Sequence, residues 1–381
     1  MKILIINTLY SPHKFGGAEV SVQLLAESLV SQGHTVKVLS LSENKEESLS
    51  SINGVDVCYL PLKNIYWPYS ATYQSTWKRL LWHLIDQYNP LMSRAVAKHL
   101  DEFQPDVVHT NNLAGFTVSV WNEVKKRGIR LVHTGRDYYL FHPNCTLFKG
   151  DHNMEVSSFS VKGWSFFKKR LSRKIDAFVG ISKFIADLHQ KNGYAPTATF
   201  HTIYNPVKPV HIEKNIHIKK EKVIGFIGRL SVEKGFDVFC DIAEKYKERT
   251  DVRFVAAGEF SGSDTGSKLK NRAEKVGVNL LGFTPLETFL SQVDAVLLPT
   301  KWREPFGRVV VECSSYVPVF VQPVGGISEL LELIDTVYDT ALLEKFIVGE
   351  LKASSYCPDP VFSTRSNCHL YERVYDENSS K

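Results

Sequence analysis

The chain has 381 residues, more than one hydrophobic core usually supports, so two domains are the expectation. An apolar fraction of 43% and a charged fraction of 23% point to a soluble globular protein, with no run long enough to cross a membrane and no signal-peptide pattern at the N-terminus. The net charge of +5 is unevenly shared: residues 1–205 hold 23 Lys and Arg against 16 Asp and Glu, the rest 23 against 25. No helix-turn-helix, zinc or RNA-binding signature accompanies the basic half, which points away from nucleic acid and toward an anionic membrane or an acidic acceptor. Cys58, Cys145, Cys240, Cys313, Cys357 and Cys368 are scattered without a Cys-x-x-Cys pair, as free thiols of a reducing compartment are, and the cytosol is the default.

Residues 2–7 read as a buried strand, Ala18–Ser31 as a helix with Gly33 just past its end, and Thr35–Leu41 as a second strand. The loop between strand and helix, Tyr10 to Glu19, carries Gly16 and Gly17 but lacks the Gly-x-Gly-x-x-Gly of a dinucleotide site. A tight turn with a capping glutamate is the plain alternative there. Residues 63–99 break the rhythm with Tyr66, Trp67, Tyr69, Tyr73, Trp77, Trp82 and Tyr88, an aromatic density that suggests an acceptor-side insertion. The parallel pattern resumes with Asp106–Thr110, a helix around Phe116–Lys126 and the strand Ile129–Thr134, which runs into Gly135-Arg136-Asp137. His133 reads equally well as a core or a cleft histidine.

Residues 162–174 hold six basic and no acidic groups around Trp164, Phe166, Phe167 and Leu171. That pattern fits an interfacial helix on anionic lipid, or a helix packed into the domain with its charges outward. A strand Asp176–Ile181 and a helix to Asn192 follow, and then Tyr204–Pro209 and the polar stretch 211–222 read as the linker. The second half alternates again. A strand at Val223–Gly228, a helix from about Phe236, strands at Arg253–Ala257, Val278–Phe283 and Ala295–Pro299, a helix from Gly307 and a strand at Val319–Gln322 predict a parallel sheet with helices on both faces. Ligands of such sheets bind beyond the carboxyl ends of the strands. Leu330–Leu351 reads as abbreviated, and Phe362–Tyr375 as a closing helix that crosses back to the first domain.

Three segments begin at such strand ends. Val223-Ile-Gly-Phe-Ile-Gly228-Arg229 leads to Lys234 and Gly235, which reads as two cations straddling a helix start, a seat for a diphosphate. Glu304-Pro-Phe306-Gly307-Arg308 opens a helix carrying Glu312, about 7.5 Å further along at helical rise. The turn at Phe306–Arg308 then suits a phosphate and Glu312 a ribose, although two glutamates eight apart also describe a solvated helix face. Pro323-Val-Gly-Gly-Ile-Ser-Glu329 completes the set.

In this order and spacing the three segments resemble the nucleotide-sugar-binding domain of the retaining glycosyltransferases of family 4. The resemblance implies an α/β chain of GT-B fold, two Rossmann-like doubly wound parallel-sheet domains facing a deep cleft. Residues 1–205, closed by a helix at about 362–381, would bind the acceptor, and residues 206–361 the nucleotide sugar. It implies retaining, metal-independent transfer from a UDP- or GDP-sugar to a hydroxyl of a glycan or lipid-linked glycan, as in bacterial surface polysaccharide synthesis, with no cofactor. In the front-face mechanism proposed for such enzymes a donor phosphate oxygen takes the acceptor proton. No Asp-x-Asp occurs here, so Arg229 and Lys234 would stabilise the departing diphosphate. Glu304 would support the donor sugar, and Gly16, Gly17, Gly228, Phe306, Gly307, Arg308 and Glu312 would bind the donor, with Glu19 and His109 toward the acceptor. Family members commonly carry His-Asp where this chain has Arg136-Asp137; the resemblance places both residues among the catalytic ones, with Arg136 taking another part than the histidine, such as holding an anionic sugar or an acceptor phosphate. Two rivals stay open: a sugar-nucleotide epimerase, since a GT-B chain can do that chemistry without an acceptor, and a non-catalytic partner subunit, which Arg136 in place of the family histidine and the abbreviated C-terminal region make credible.

Overall fold

The computed structural model describes residues 1–13, 16–70, 74–209, 212, 221–262, 264–351 and 360–377. Phe15, Tyr73, Cys357 and residues 213–220 of the expected linker lie outside the described residues. The chain divides into two compact units, one of residues 1–147, 155–206 and 361–381, the other of 148–154 and 207–360.

The first unit contains β1 (Lys2–Ile6), α1 (Gly17–Ser31), β2 (Thr35–Ser42), β3 (Ser48–Ile52), β4 (Val55–Pro61), α2 (Thr76–Ile85), α3 (Pro90–Phe103), β5 (Val107–Thr110), α4 (Val120–Lys126) and β6 (Arg130–Gly135). A short hairpin, β7 (Phe148–Lys149) and β8 (His152–Asn153), belongs to the second unit, after which α5 (Phe159–Leu171), β9 (Ala177–Gly180), α6 (Lys183–Lys191) and β10 (Thr199–Thr202) continue the first. Its sheet runs β10-β9-β6-β5-β1-β2-β4-β3 and is parallel except where β3 pairs antiparallel with β4. β1 lies inside this sheet, paired on both sides, which is why Ile3, Leu4, Ile5 and Ile6 form a continuous apolar run.

Sequence reasoning did not place the β3–β4 hairpin. β3 is Ser-Leu-Ser-Ser-Ile at a sheet edge, mostly exposed, and carries no apolar period. The aromatic stretch is also only in part an insertion: Asn89 accepts the N–H groups of Leu91 and Met92 and caps α3, whose Met92, Val96 and Leu100 are buried in the scaffold. Phe116 falls in the loop ahead of the shorter α4.

The second unit follows the alternating pattern: β11 (Lys222–Ile227), α7 (Phe236–Lys245), β12 (Val252–Ala257), α8 (Asp264–Lys275), β13 (Asn279–Gly282), α9 (Leu286–Leu290), β14 (Ala295–Leu298), α10 (Arg308–Ser314), β15 (Val319–Val321), α11 (Ile327–Leu333), β16 (Val337–Asp339) and α12 (Leu343–Ile347). Its six strands, β13-β12-β11-β14-β15-β16, are all parallel. Leu330–Leu351 thus holds a short but complete strand–helix pair, which its brevity hid from the sequence. The last helix, α13 (Thr364–Asp376), returns to the first unit, where Cys368, Tyr371, Val374 and Tyr375 join Val22, Leu25 and Leu29 of α1 and Ile3 and Ile5 of β1 in one core.

Candidate functional site

In the second unit the three motif loops meet at the carboxyl ends of β11, β14 and β15. Gly235 has φ 75°, and a Cβ there would sit 1.8 Å from the carbonyl oxygen of Pro299. Only glycine lets the β11–α7 loop lie on the β14–α10 loop. The contact is fastened by the Glu233 carbonyl, which accepts from the Thr300 hydroxyl at 3.0 Å and from the N–H groups of Lys301 and Trp302 at 3.1 and 3.2 Å. Gly325, at φ 62°, repeats the device: a Cβ would strike the backbone of Arg303 and Glu304. The Gly326 N–H donates to the Glu304 carbonyl at 2.7 Å.

This packing brings Lys234 to Glu304. The lysine Nζ lies 2.5 Å from Glu304 Oε2, which also accepts the Trp302 indole N–H at 2.8 Å, and the cation stands 5.0 Å from the Trp302 ring. Both charges keep a partly open face. Arg229 is exposed and pairs loosely with Glu233 at 3.7 Å. Arg229 and Lys234 do not straddle a helix start. Both precede α7, because left-handed Gly235 delays it to Phe236. On α10, Arg308 Nη2 is 2.8 Å from Glu312 one turn on, with both side chains largely covered. Burial raises the Glu312 carboxyl and neighbouring Arg308 pulls it back down. Glu312 is therefore no member of a solvated helix face. Phe306 is buried, which leaves the backbone as its contribution to a ligand, and Gly307 lies against Ile327.

No pattern in residues 148–154 marks the β7–β8 hairpin of this unit. Asp151 lies 2.7 Å from Lys301, and Asn153 donates to the Lys301 carbonyl and accepts from the Arg303 N–H, each at 2.9 Å. These two-residue strands brace the loop that carries Glu304.

The first unit gathers a second group beyond β6. Arg136 is buried; it donates to Asn111 Oδ1 and Asn205 Oδ1, each at 2.7 Å, and bonds the Tyr371 hydroxyl of α13. It ties strand ends to the closing helix. Asp137 accepts the Tyr139 N–H at 2.7 Å, and burial, against the pull of that bond and of Lys168, raises its carboxyl to about 6. Lys168 is the residue that sequence reading misplaced. Its ammonium is fully buried, donates to the Tyr139 carbonyl at 2.8 Å and lies 3.5 Å from the Tyr139 ring centroid. Asp86 is buried as well, accepts the Gly115 N–H at 2.6 Å, and is raised to about 7 by burial, which Lys168 opposes. Neither Asp86 nor Lys168 stands in a motif, so no spacing signal marked them.

Other candidates serve the fold. His109 is fully buried in β5 with its ring nitrogens 2.8 Å from the Tyr375 hydroxyl and 2.7 Å from that of Thr134, which leaves none for an acceptor. His133 is a core histidine, 2.9 Å from Thr110 Oγ1, and burial lowers it to about 3. Glu19 caps α1 by accepting the Gly16 N–H at 3.0 Å, and Gly16 itself has an extended backbone that any residue adopts. Gly17 is the first residue of α1.

Residues 15–210 match the model of Glycosyltransferase Family 4, and residues 207–339 that of Glycosyl transferases group 1. The chain belongs to the GT-B glycosyltransferases. This glycosyltransferase is similar to an uncharacterized protein in the cps region of Klebsiella pneumoniae, 45% identical over 339 residues and 89% of each chain. It is 24% identical over 362 residues to an uncharacterized glycosyltransferase of Methanocaldococcus jannaschii, covering 87% of this chain and 83% of the relative. Among solved structures it resembles Anabaena HepE in complex with UDP, with a TM-score of 0.69 and 17% identity over 99% of this chain and 100% of that one. Sucrose-phosphate synthase from Thermosynechococcus elongatus gives 0.68 and 15% over 100% and 97%. At such identities the likeness concerns the fold.

Proposed function

We propose that this glycosyltransferase moves a sugar from a nucleotide diphosphate sugar to a hydroxyl of a glycan or lipid-linked glycan, with retention at the anomeric carbon, in surface polysaccharide synthesis. The observation that carries the reading is the Lys234–Glu304 contact, built by glycine-dependent packing of three loops at the strand ends where such sheets bind ligands. Lys234, with Arg229 beside it, faces the diphosphate and offsets the charge that grows as the glycosidic bond breaks, with no bound metal in the step. Glu304 supports the sugar. Arg308 takes a phosphate oxygen and Glu312 the ribose hydroxyls. The donor is a UDP- or GDP-sugar, a choice that the structure of Anabaena HepE with UDP supports, while the cps-region relative supports a polysaccharide product. Following the anomeric proton by NMR during turnover tests it: the first product has the donor's configuration, and an inverted product, or an epimerised donor without an acceptor, overturns it.

The same reading places the enzyme on an anionic membrane surface. On α5, Phe166 and Phe167 are exposed beside Lys162, Lys169 and Arg170, and Phe159 is 97% exposed. On α2, Trp77, Leu80, Leu81 and Leu84 form an exposed apolar row at i, i+3, i+4 and i+7. The His83 and Trp164 rings, 6.3 Å apart, connect the two helices. Apolar side chains next to cations on one surface are what an anionic interface binds. No helix among the described residues is long and apolar enough to cross a membrane.

A further inference from the structure

Away from both groups, three side chains from separate elements of the first unit converge beside the β3–β4 hairpin. Cys58 stands in β4, His99 on α3, and Glu47 just before β3. The Cys58 sulfur lies 3.8 Å from His99 Nε2 and 3.2 Å from Glu47 Oε1, and His99 Nε2 lies 3.5 Å from Glu47 Oε2. A tetrahedral zinc with Zn–S of about 2.3 Å and Zn–N or Zn–O of about 2.0–2.1 Å has S···N, S···O and N···O edges of roughly 3.6, 3.5 and 3.3 Å. The S···N separation stands within a few tenths of an ångström of that figure, as do the S···O and N···O separations, which run to Oε1 and Oε2 of Glu47 respectively. One donor atom from each residue lies within 4.8 Å of the others, so a small turn of the carboxylate sets a single oxygen on the metal. Cys58 and His99 are buried and Glu47 is exposed, so the site is closed on the protein side and open to a water as fourth ligand.

We infer that Glu47, Cys58 and His99 form a zinc-binding site that fastens the edge hairpin to α3. The donor set is chemically apt, since thiolate and imidazole select zinc over magnesium or calcium. Charge also balances, because one thiolate, one carboxylate and one neutral imidazole cancel the dication. Binding exchanges the Cys58 thiol proton for the metal and releases it to solvent. Three further charged groups face the trio. Lys37 Nζ lies 3.4 Å and Glu102 Oε2 3.9 Å from His99 Nδ1, and Lys98 pairs with Glu102 at 3.7 Å. With zinc on Nε2 the Nδ1 proton turns toward Glu102, as a zinc-bound histidine donates its other N–H to a carboxylate. Lys37 then keeps its contact over the Phe103 ring, at 5.9 Å. The three residues lie 11 and 41 positions apart in sequence, which no zinc spacing motif covers.

The test uses the full chain freed of metal by chelation and titrated with Co2+ and Zn2+. The expected result is one equivalent bound, with a thiolate-to-cobalt charge-transfer band in the near ultraviolet that Zn2+ displaces. Cys58→Ser should abolish the band, and His99→Gln should weaken zinc binding roughly 100-fold or more, since even outer partners of a metal site cost 10- to 100-fold. Thermal melting of each variant without metal shows that it is folded, and only the parent's melting temperature should rise with Zn2+. Absence of the band in the parent, or equal zinc binding by the folded Cys58→Ser chain, would mean that the trio is only a hydrogen-bonded cluster.

Discussion

Replacing Lys234 by Ala separates chemistry from packing at the candidate site. The Lys234–Glu304 contact is a charge-assisted hydrogen bond, a type that contributes about 1.5–3 kcal/mol when well covered. The lysine side chain is 26% exposed and the glutamate 17%, and Trp302 Nε1 stays on the same oxygen, so solvent screening brings the expected stability loss to about 1 kcal/mol. For a unit of this size that is a fall in melting temperature of roughly 2–4 °C. Losing a cation aimed at a departing diphosphate costs far more in the transition state, about 10²- to 10³-fold in kcat. Initial rates at varied donor concentration, read beside a melting curve, distinguish the two. A variant that melts a few degrees lower and turns over at least 100-fold more slowly, at a donor KM within a few-fold of the parent, is the expected result. If only KM rises, Lys234 binds ground and transition states alike and does not assist departure.

Glu312→Gln should weaken binding of the nucleoside diphosphate by about 1.5–3 kcal/mol in calorimetry, because a charged acceptor is lost while the helix keeps its shape; unchanged affinity would confine Glu312 to pairing with Arg308. The parent should sediment with anionic but not neutral vesicles, less so in high salt, and changing Lys169, Arg170 and Arg173 to Glu should release it, each cation contributing about 1 kcal/mol. Lys168 is left out of that set because it is buried against Tyr139, and continued sedimentation of the triple variant would refute the docking surface. His189, among the rings of Phe141, Phe178 and Tyr194, is lowered from 6.5 to about 4 by burial, with the Ile185 carbonyl opposing. Its folded value lies below its unfolded one, so the stability it contributes is complete above pH 6.5 and is lost as the pH falls toward 4, on the order of 3 kcal/mol in all. His189→Phe should flatten urea-unfolding midpoints between pH 7 and pH 5 relative to the parent, and an unaltered pH dependence would contradict this.

The parallel architecture was legible because the buried runs Ile3–Ile6 and Ala295–Leu298 are unbroken apolar stretches followed by glycine-bearing loops. The contact of Lys234 with Glu304 was not, since it depends on Gly235 and Gly325 admitting neighbouring backbone, and those partners are distant in sequence. His109 shows the opposite error. A histidine at a strand end looked available, and only the return of α13 with Tyr375 shows its ring closed in. Lys168 sits among exposed cations in sequence, but positions 161, 165, 168 and 172 form the inward face of α5 and the segment after it, which places that one lysine beneath the others. The edge strand β3 and the two-residue strands β7 and β8 bury too little to leave a pattern.

Mass spectrometry of products tests the central claim most directly, with the purified chain given a panel of UDP- and GDP-sugars together with glycan and lipid-linked glycan acceptors. The account predicts that one donor releases its nucleoside diphosphate and that an acceptor gains the mass of that one sugar, with Lys234→Ala nearly silent under the same conditions. Donor isomerisation without transfer, or a fully folded parent that consumes no donor while a partner chain supplies the activity, would contradict it.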